Sequence, residues 1–125
     1  MIVDAHLDIA WNALAEGRGF DAPPAPGYAV SRRSLTEAGV GLAFATLYCS
    51  PSGGRSYRAP FSYRTSQEAH LMARAQVGYY RAVGLPLVQT RTELARHVRR
   101  WRRGRLAAVL LMEGADPIEE PGQVE

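Results

Sequence analysis

Apolar runs of strand length alternate along this chain with segments that have the spacing of amphipathic helices. Residues 40–48 and 106–112 are apolar at nearly every position, which is typical of strands covered on both faces of a parallel sheet. Another strand is predicted at residues 2–8, where polar residues interrupt the apolar ones, and the short run 85–88 is a further candidate. The pattern therefore predicts several strands that share one sheet.

Capping boxes predict where the helices between these strands begin. In each box a Ser or Thr precedes a Glu by three residues, so that their side chains can satisfy otherwise unpaired backbone amides. The boxes at Thr65 and Thr90 predict helices over residues 66–83 and 91–103, and the box at Ser34 predicts barely one turn. Glycines stand where the three helices should end: Gly39, Gly84 and Gly104.

Helical spacing predicts which side chains of the two longer helices are buried. The inward-facing residues would be Met72, Ala75, Tyr79 and Val83 in the first, and Leu94, Val98 and Trp101 in the second. The arginines at positions 96–105 would then lie on the outer face and in the last turn of the second helix, where cations interact favourably with the helix dipole.

Long loops are predicted at residues 17–28 and 49–59, which are rich in Gly and Pro and each follow a strand. The order of elements predicts α/β architecture with a parallel sheet. Such folds build their active sites from loops at the carboxyl ends of the strands. A last helix is predicted to begin at Asp116, but only nine residues follow, so the chain is expected to be truncated at its C-terminus.

His6, Asp8 and Glu113 are the candidates for chemistry, because each stands at the end of a predicted strand. Side chains two positions apart on a strand project to the same face, about 7 Å apart along the backbone. His6 and Asp8 could therefore reach a common metal ion. Glu113 could supply the bridging carboxylate of a two-metal hydrolase. Asp4 has the same parity as His6 but lies deeper, where a supporting or structural role is expected.

These residues also have plainer interpretations. His6 and Asp8 could form a hydrogen-bonded pair without a metal ion, and Glu113 could simply face solvent at a strand end. His70 and His97 fall within predicted helices and are expected to be exposed and to bind no metal.

Three other side chains near the strand ends are expected to serve in packing. Cys49 is expected to be a small buried side chain, because no base for a catalytic thiol is evident nearby. Trp11 and Tyr48 are expected to pack in the interior, although both fall where they could face a substrate.

Composition narrows the class of protein. A chain of 125 residues with 46% hydrophobic content suits one globular domain. No apolar run approaches the roughly 18–20 residues that would span a bilayer, and the N-terminus lacks the pattern of a secretory signal. The single cysteine excludes an intrachain disulfide, and a cytoplasmic location is expected. All fifteen basic residues are Arg, which indicates biased nucleotide composition more than adaptation to nucleic acid.

The order of these segments resembles a known family. V-D-A-H-L-D stands near the start, A-G-V-G-L-A-F-A-T-L-Y in the middle and L-L-M-E-G-A-D near the end, with a long helix and an arginine-rich helix between the last two. In that order they resemble the N-terminal portion of the membrane (renal) dipeptidase family of zinc metallopeptidases. The H-x-D element alone is common to many metallohydrolases, but its combination with the later E-G is considerably more specific.

The resemblance implies the N-terminal part of a (β/α)8 TIM-like barrel with parallel strands, so that residues 1–125 would be a partial metallo-dependent hydrolase domain. It implies a binuclear zinc centre, with His6 and Asp8 on one zinc and Glu113, as the catalytic residue, bridging both. The implied reaction is hydrolysis of a dipeptide amide bond by a metal-bound hydroxide. A complete barrel needs about 250 residues, so the remaining histidine ligands would lie outside this portion and full activity is not expected.

The expected partners follow from the same resemblance. They are a dipeptide substrate and a second copy of the chain in a homodimer, with neither a membrane nor nucleic acid. Two alternatives remain open. One is another amidohydrolase-type metal-dependent hydrolase, and the other is a non-catalytic basic module that binds nucleic acid through the arginines around Trp101.

Overall fold

Three parallel strands form the sheet of the computed structural model. The strands are β1 (Ile2–Leu7), β2 (Val40–Tyr48) and β3 (Ala107–Glu113), hydrogen-bonded in that order. The prediction of an α/β chain with a parallel sheet is therefore confirmed. The structure describes residues 1–23, 25–28, 30–53 and 61–124, so residues 24 and 54–59 of the two predicted loops lie outside the described residues.

Helices connect the strands. The described residues form α1 (Ile9–Glu16) and α2 (Arg32–Ala38) between β1 and β2, α3 (Ser66–Ala82) and α4 (Arg91–Arg100) between β2 and β3, and a 3₁₀ helix at Pro121–Val124. None of these helices combines the length and the apolar character that a membrane span requires.

Residues of α1, α2 and α3 pack on one face of the sheet. Ala43 and Ala45 of β2 are completely buried, and their small side chains allow Tyr80 of α3 to pack directly against the strand. On the opposite face, Phe44 and Val109 are only half-buried. Glu113 shares the face of Val109, because side chains alternate along a strand. The less covered face of the sheet therefore carries a candidate metal ligand.

The register between β1 and β2 is irregular. Asp4 lies beside Ala43 and Leu7 lies beside Ala45, so β1 takes three steps where β2 takes two. Such a bulge changes which side chains share a face. Asp4 consequently pairs with a residue of the helix-covered face, contrary to the prediction that it shares the face of His6.

The helix starts are confirmed for α3 and α4, where both capping boxes form as predicted. The box predicted at Ser34 is wrong. α2 begins earlier, with Ser31 as its N-cap and the Ser34 hydroxyl accepting a hydrogen bond from the Ser31 amide at 2.9 Å. Glu37 instead accepts a hydrogen bond from Arg33, one turn earlier. A serine takes the place of the Glu in this box, which explains why the hydroxyl–Glu pattern gave the wrong start.

The predicted buried faces are correct only in part. In α3, Met72 is buried but Ala75 is exposed, and the other buried positions are Ala69, Ala73, Gln76 and Tyr80. α4 has no buried residue and ends at Arg100, three residues earlier than predicted, and Val98 is 50% exposed. Trp101 lies over Gly41 of β2, where a Cβ atom would be only 2.2 Å from the indole nitrogen.

The predicted run at residues 85–88 does not form a strand, although it lies along β3. Leu87 makes a single parallel bridge to Ala108. The C-terminal segment also differs from the prediction, because within the described residues turns follow β3 instead of a helix from Asp116. The Asp116 carboxylate accepts a hydrogen bond from the Tyr63 hydroxyl at 2.6 Å, which ties this segment to the end of the preceding loop.

Candidate metal centre

The predicted ligands lie at the carboxyl edge of the sheet. His6 is the next-to-last residue of β1, Asp8 directly follows β1 as the N-cap of α1, and Glu113 is the last residue of β3. β2 lies between the two strands that carry them. Parallel strands end at the same edge of a sheet, so residues about a hundred positions apart in the sequence become neighbours.

The side chains of these residues converge. The His6 Nε2 atom lies 3.2 Å from Glu113 Oε2 and 3.7 Å from Asp8 Oδ1. One ligand atom from each residue can be chosen so that all lie within 4.8 Å of one another. The His6–Asp8 distance is too long for the hydrogen-bonded pair considered as an alternative. The three side chains are 38–50% exposed, so they remain open to an incoming ion.

Asp4 supports this arrangement through the backbone. Its Oδ1 atom accepts a hydrogen bond from the His6 amide at 3.0 Å, within the bulged part of β1. The bond holds the strand segment from which the His6 side chain projects. The expected supporting role of Asp4 thus has a structural basis, although its side chain does not share the His6 face.

Thr46 fixes the position of Asp8, and sequence reasoning missed it. The Thr46 side chain is completely buried, and its hydroxyl donates a short hydrogen bond to Asp8 Oδ1. The carboxylate therefore makes no capping bond to α1, for which it is the N-cap residue. The signal available in the sequence was a hydroxyl in the middle of the apolar run 40–48.

A cavity of about 290 Å³ lies beside the cluster. It is lined by Asp8 and Glu113 and by three residues outside the cluster: Trp11, Asn12 and Tyr48. Trp11 and Tyr48 pack edge to face, with their ring centroids 5.6 Å apart. The Trp11 side chain is buried, yet its Nε1 atom makes no hydrogen bond in the described structure. Trp11 and Tyr48 therefore pack against each other, as expected, and also line the candidate site.

The remaining histidines and the cysteine lie apart from the cluster. His70 and His97 are half-buried and not exposed as predicted. The His70 ring is hydrogen-bonded to the Pro117 carbonyl oxygen at 3.1 Å, and the His97 ring to the Gly41 carbonyl oxygen at 2.7 Å. Cys49 is buried as predicted, and its thiol donates to the Ala69 carbonyl oxygen at 3.3 Å. Burial, followed by the charge of Asp116, raises the pKa of Cys49 to about 11.

Comparison with solved structures finds a similar fold in the dipeptidase AC, a metallopeptidase of family M19. The superposition has a TM-score of 0.65 at 19% sequence identity, and it covers 94% of this chain and 36% of the dipeptidase. Neither the known protein families nor the curated protein sequences include a match to this chain. The chain therefore has the α/β fold of part of a (β/α)8 barrel dipeptidase and spans 36% of that protein's length.

Proposed function

We propose that this chain is the metal-binding part of a zinc-dependent dipeptidase. The proposal is carried by one observation: His6, Asp8 and Glu113 converge at the carboxyl edge of a sheet whose fold matches part of a metallodipeptidase. In barrels of this kind the strand ends at this edge carry the catalytic residues. The position of the cluster thus agrees with a catalytic role.

The donor atoms suit zinc. One imidazole nitrogen and two carboxylates are among the ligands that zinc binds in catalytic sites, where a protein supplies some positions and leaves others open. His6 would bind through Nε2, which faces both carboxylates. Asp8 would bind through an oxygen oriented by Thr46. Glu113 has two oxygens at the end of β3, as a residue shared between two ions requires.

Zinc at such a site lowers the pKa of a coordinated water to about 7 and polarises a substrate carbonyl. This chain's own residues would orient the reacting groups. Glu113 would hold its carboxylate next to the scissile bond, and the ring edges of Trp11 and Tyr48 would exclude bulk water from one side of the cavity. The unpaired Trp11 Nε1 could donate a hydrogen bond to an oxygen of the substrate.

We infer that the substrate is a dipeptide. The cavity of about 290 Å³ beside the cluster, with its aromatic wall, would hold one part of a short peptide. Because this chain corresponds to 36% of the matched dipeptidase, the other ligands and the remaining substrate contacts would have to come from residues outside it. We therefore expect zinc binding, but little hydrolysis, from this chain by itself.

Zinc affinity measured by isothermal titration calorimetry tests the proposal without requiring catalysis. His6→Ala, Asp8→Ala and Glu113→Gln should each weaken binding roughly tenfold or more, since even residues that only support a ligand contribute about that much. His97→Gln and Glu119→Gln are the matched controls, because they remove the same groups outside the cluster. Equal affinity in His6→Ala and His97→Gln would contradict the proposed site.

The nature of the substrate needs a separate experiment. A complete enzyme assembled from this chain and the rest of a barrel should hydrolyse dipeptides and leave longer peptides intact. Zinc-dependent turnover of other amides, without turnover of dipeptides, would retain the metal site but favour the broader amidohydrolase alternative.

A further inference from the structure

The arginine-rich segment has a structure that the proposed hydrolase function does not explain. Residues 91–105 contain seven Arg and one Glu, a net charge of +6, whereas the whole chain has +3. The sequence predicted that these arginines cover the outer face of a helix whose other face is buried. In the structure the arginines of α4 are exposed as predicted, but the opposite face of the helix is only partly covered, since Leu94 packs against Val88 and Ala107 while Val98 is exposed.

Three arginines of this segment line one cavity. Arg96 and Arg100, one turn apart on α4, and Arg105, in the loop before β3, surround a space of about 250 Å³. Its apolar wall is formed by Pro86, Val88 and Ala107. His97 also lines it, and its Nε2 atom is held by the Gly41 carbonyl oxygen at 2.7 Å. The cavity is thus a concave, positively charged site formed by α4, the loop before β3 and residues 86–88.

The described residues provide no ion-pair partner within 4.0 Å for the cavity arginines. Among the described residues, ion pairs of arginine join Arg32 to Asp21 and Arg33 to Glu37, and none involves the cavity arginines. Glu93 is the acidic residue that lines the cavity.

The Glu93 carboxylate is already engaged by the start of α4. Its Oε2 atom accepts hydrogen bonds from the backbone amides of Gln89 at 2.8 Å and Thr90 at 3.0 Å. These bonds lower the pKa of Glu93, with a smaller contribution from the charge of Arg96. Glu93 therefore stabilises the helix start, and the hydrogen bonds of its Oε2 atom go to backbone amides and not to the guanidinium groups of the cavity.

We propose that this cavity binds the phosphate group of a small molecule. A phosphate offers several oxygens and nearly two negative charges, which matches three guanidinium groups better than a single carboxylate would. The concave shape favours a small ligand over nucleic acid, whose backbone is usually followed by a stripe of cations across an open surface.

The phosphate site is separate from the candidate metal centre. Ala107, which lines the cavity, is the first residue of β3, and Glu113 is the last. At about 3.3 Å per residue, the two sites are roughly 20 Å apart along the strand. The ligand would therefore not contact the hydrolytic residues, and the proposal does not depend on the proposed function.

Titration of the whole chain with pyrophosphate, followed by calorimetry at about 0.15 M ionic strength, tests the site. Under these conditions charges more than about 8 Å apart are largely screened, so contacts inside the cavity dominate. The double variant R96Q/R100Q should weaken binding roughly tenfold or more, given the strength of hydrogen bonds to charged groups. The matched control R91Q/R99Q removes the same charge outside the cavity and should change affinity less than about twofold.

Several outcomes would overturn the proposal. One is the absence of saturable pyrophosphate binding, and another is an equal loss in the two double variants, which would indicate only diffuse attraction. Binding of duplex DNA without binding of pyrophosphate would assign the arginines to nucleic acid instead. All four substituted positions are exposed, so circular dichroism should show an unchanged fold.

Discussion

Thr46 links the candidate metal ligands to the interior of the molecule. Its hydroxyl binds Asp8, and its carbonyl oxygen accepts a hydrogen bond from the Tyr80 hydroxyl at 2.8 Å. The same Tyr80 hydroxyl accepts a hydrogen bond from the Ala10 amide at 3.3 Å, in the first turn of α1. The position of Asp8 is therefore set by β2 and α3 as well as by its own strand.

We predict that Thr46→Val weakens zinc binding by about 10–100-fold, the usual effect of removing a group that orients a metal ligand. Valine has nearly the same shape but cannot donate to the Asp8 carboxylate. Thr36→Val is the matched control, because the Thr36 hydroxyl donates only to carbonyl oxygens within α2. Calorimetric zinc affinities that agree between the two variants would show that Thr46 does not position Asp8.

The Cys49 thiol should react slowly with alkylating reagents. It is 4% exposed, and its pKa is raised to about 11, so at pH 8 the folded chain holds almost no thiolate. The pKa of the Cys49 thiol is higher in the folded chain than in the unfolded chain, so the neutral thiol stabilises the fold. This stabilisation is complete below about pH 9 and is lost as the pH rises towards 11. The rate of alkylation is measured by iodoacetamide labelling followed by mass spectrometry, with a urea-unfolded sample as reference. Equal rates in both samples would contradict the buried position.

The candidate metal ligands were easier to predict from the sequence than Thr46, which holds Asp8. His6, Asp8 and Glu113 stand at the ends of apolar runs, and strand geometry alone brings such ends together. Thr46 acts on a residue 38 positions away, through a contact that depends on the irregular register of β1. No local pattern encodes that register.

Among the secondary-structure elements, α3 binds the end of β2 through a buried side chain. Gln76 of α3 is completely buried, and its side chain accepts from the Tyr48 amide at 3.1 Å and donates to the Tyr48 carbonyl oxygen at 2.7 Å. The amide side chain thus replaces a neighbouring strand at the end of β2, beyond the last residue of β1. It satisfies two backbone groups beside the candidate site.

Replacing Gln76 by Leu should lower the free energy of unfolding by about 2–4 kcal/mol, because the backbone amide and carbonyl of Tyr48 would lose their partners and face a buried apolar side chain. Gln67→Leu, on the exposed face of the same helix, is the control and should have little effect. Urea denaturation monitored by circular dichroism gives both values. A loss of stability no larger in Q76L than in Q67L would refute the role of Gln76.

The strands were predicted more successfully than the helices. Continuous apolar runs mark β2 and β3, whereas α1 has no capping box, because Trp11 stands three residues after its N-cap Asp8, where the box needs a Glu or Gln. The predicted inner face of α4 is wrong at Val98, which is 50% exposed, whereas Leu94 packs against Leu42 of the sheet. Periodicity identifies an amphipathic helix, but it cannot show whether another element covers the apolar side.

At the scale of the whole molecule, β1 forms an open edge of the sheet among the described residues. β1 pairs with β2 on one side, and no described strand pairs with its other side. Met1, Ile2 and Val3 are 45–52% exposed along this edge. An uncovered apolar edge strand is a template for pairing with another chain.

We therefore predict that this chain self-associates through β1 at micromolar to millimolar concentrations, the range in which exposed strand edges associate. Val3→Lys should shift the equilibrium towards monomer, since a charged side chain on an edge strand opposes pairing. Leu71→Lys is the matched control, because Leu71 is 58% exposed on α3, outside the sheet. Sedimentation velocity over a concentration series distinguishes the variants. If V3K and L71K changed association equally, general surface hydrophobicity and not the β1 edge would be responsible.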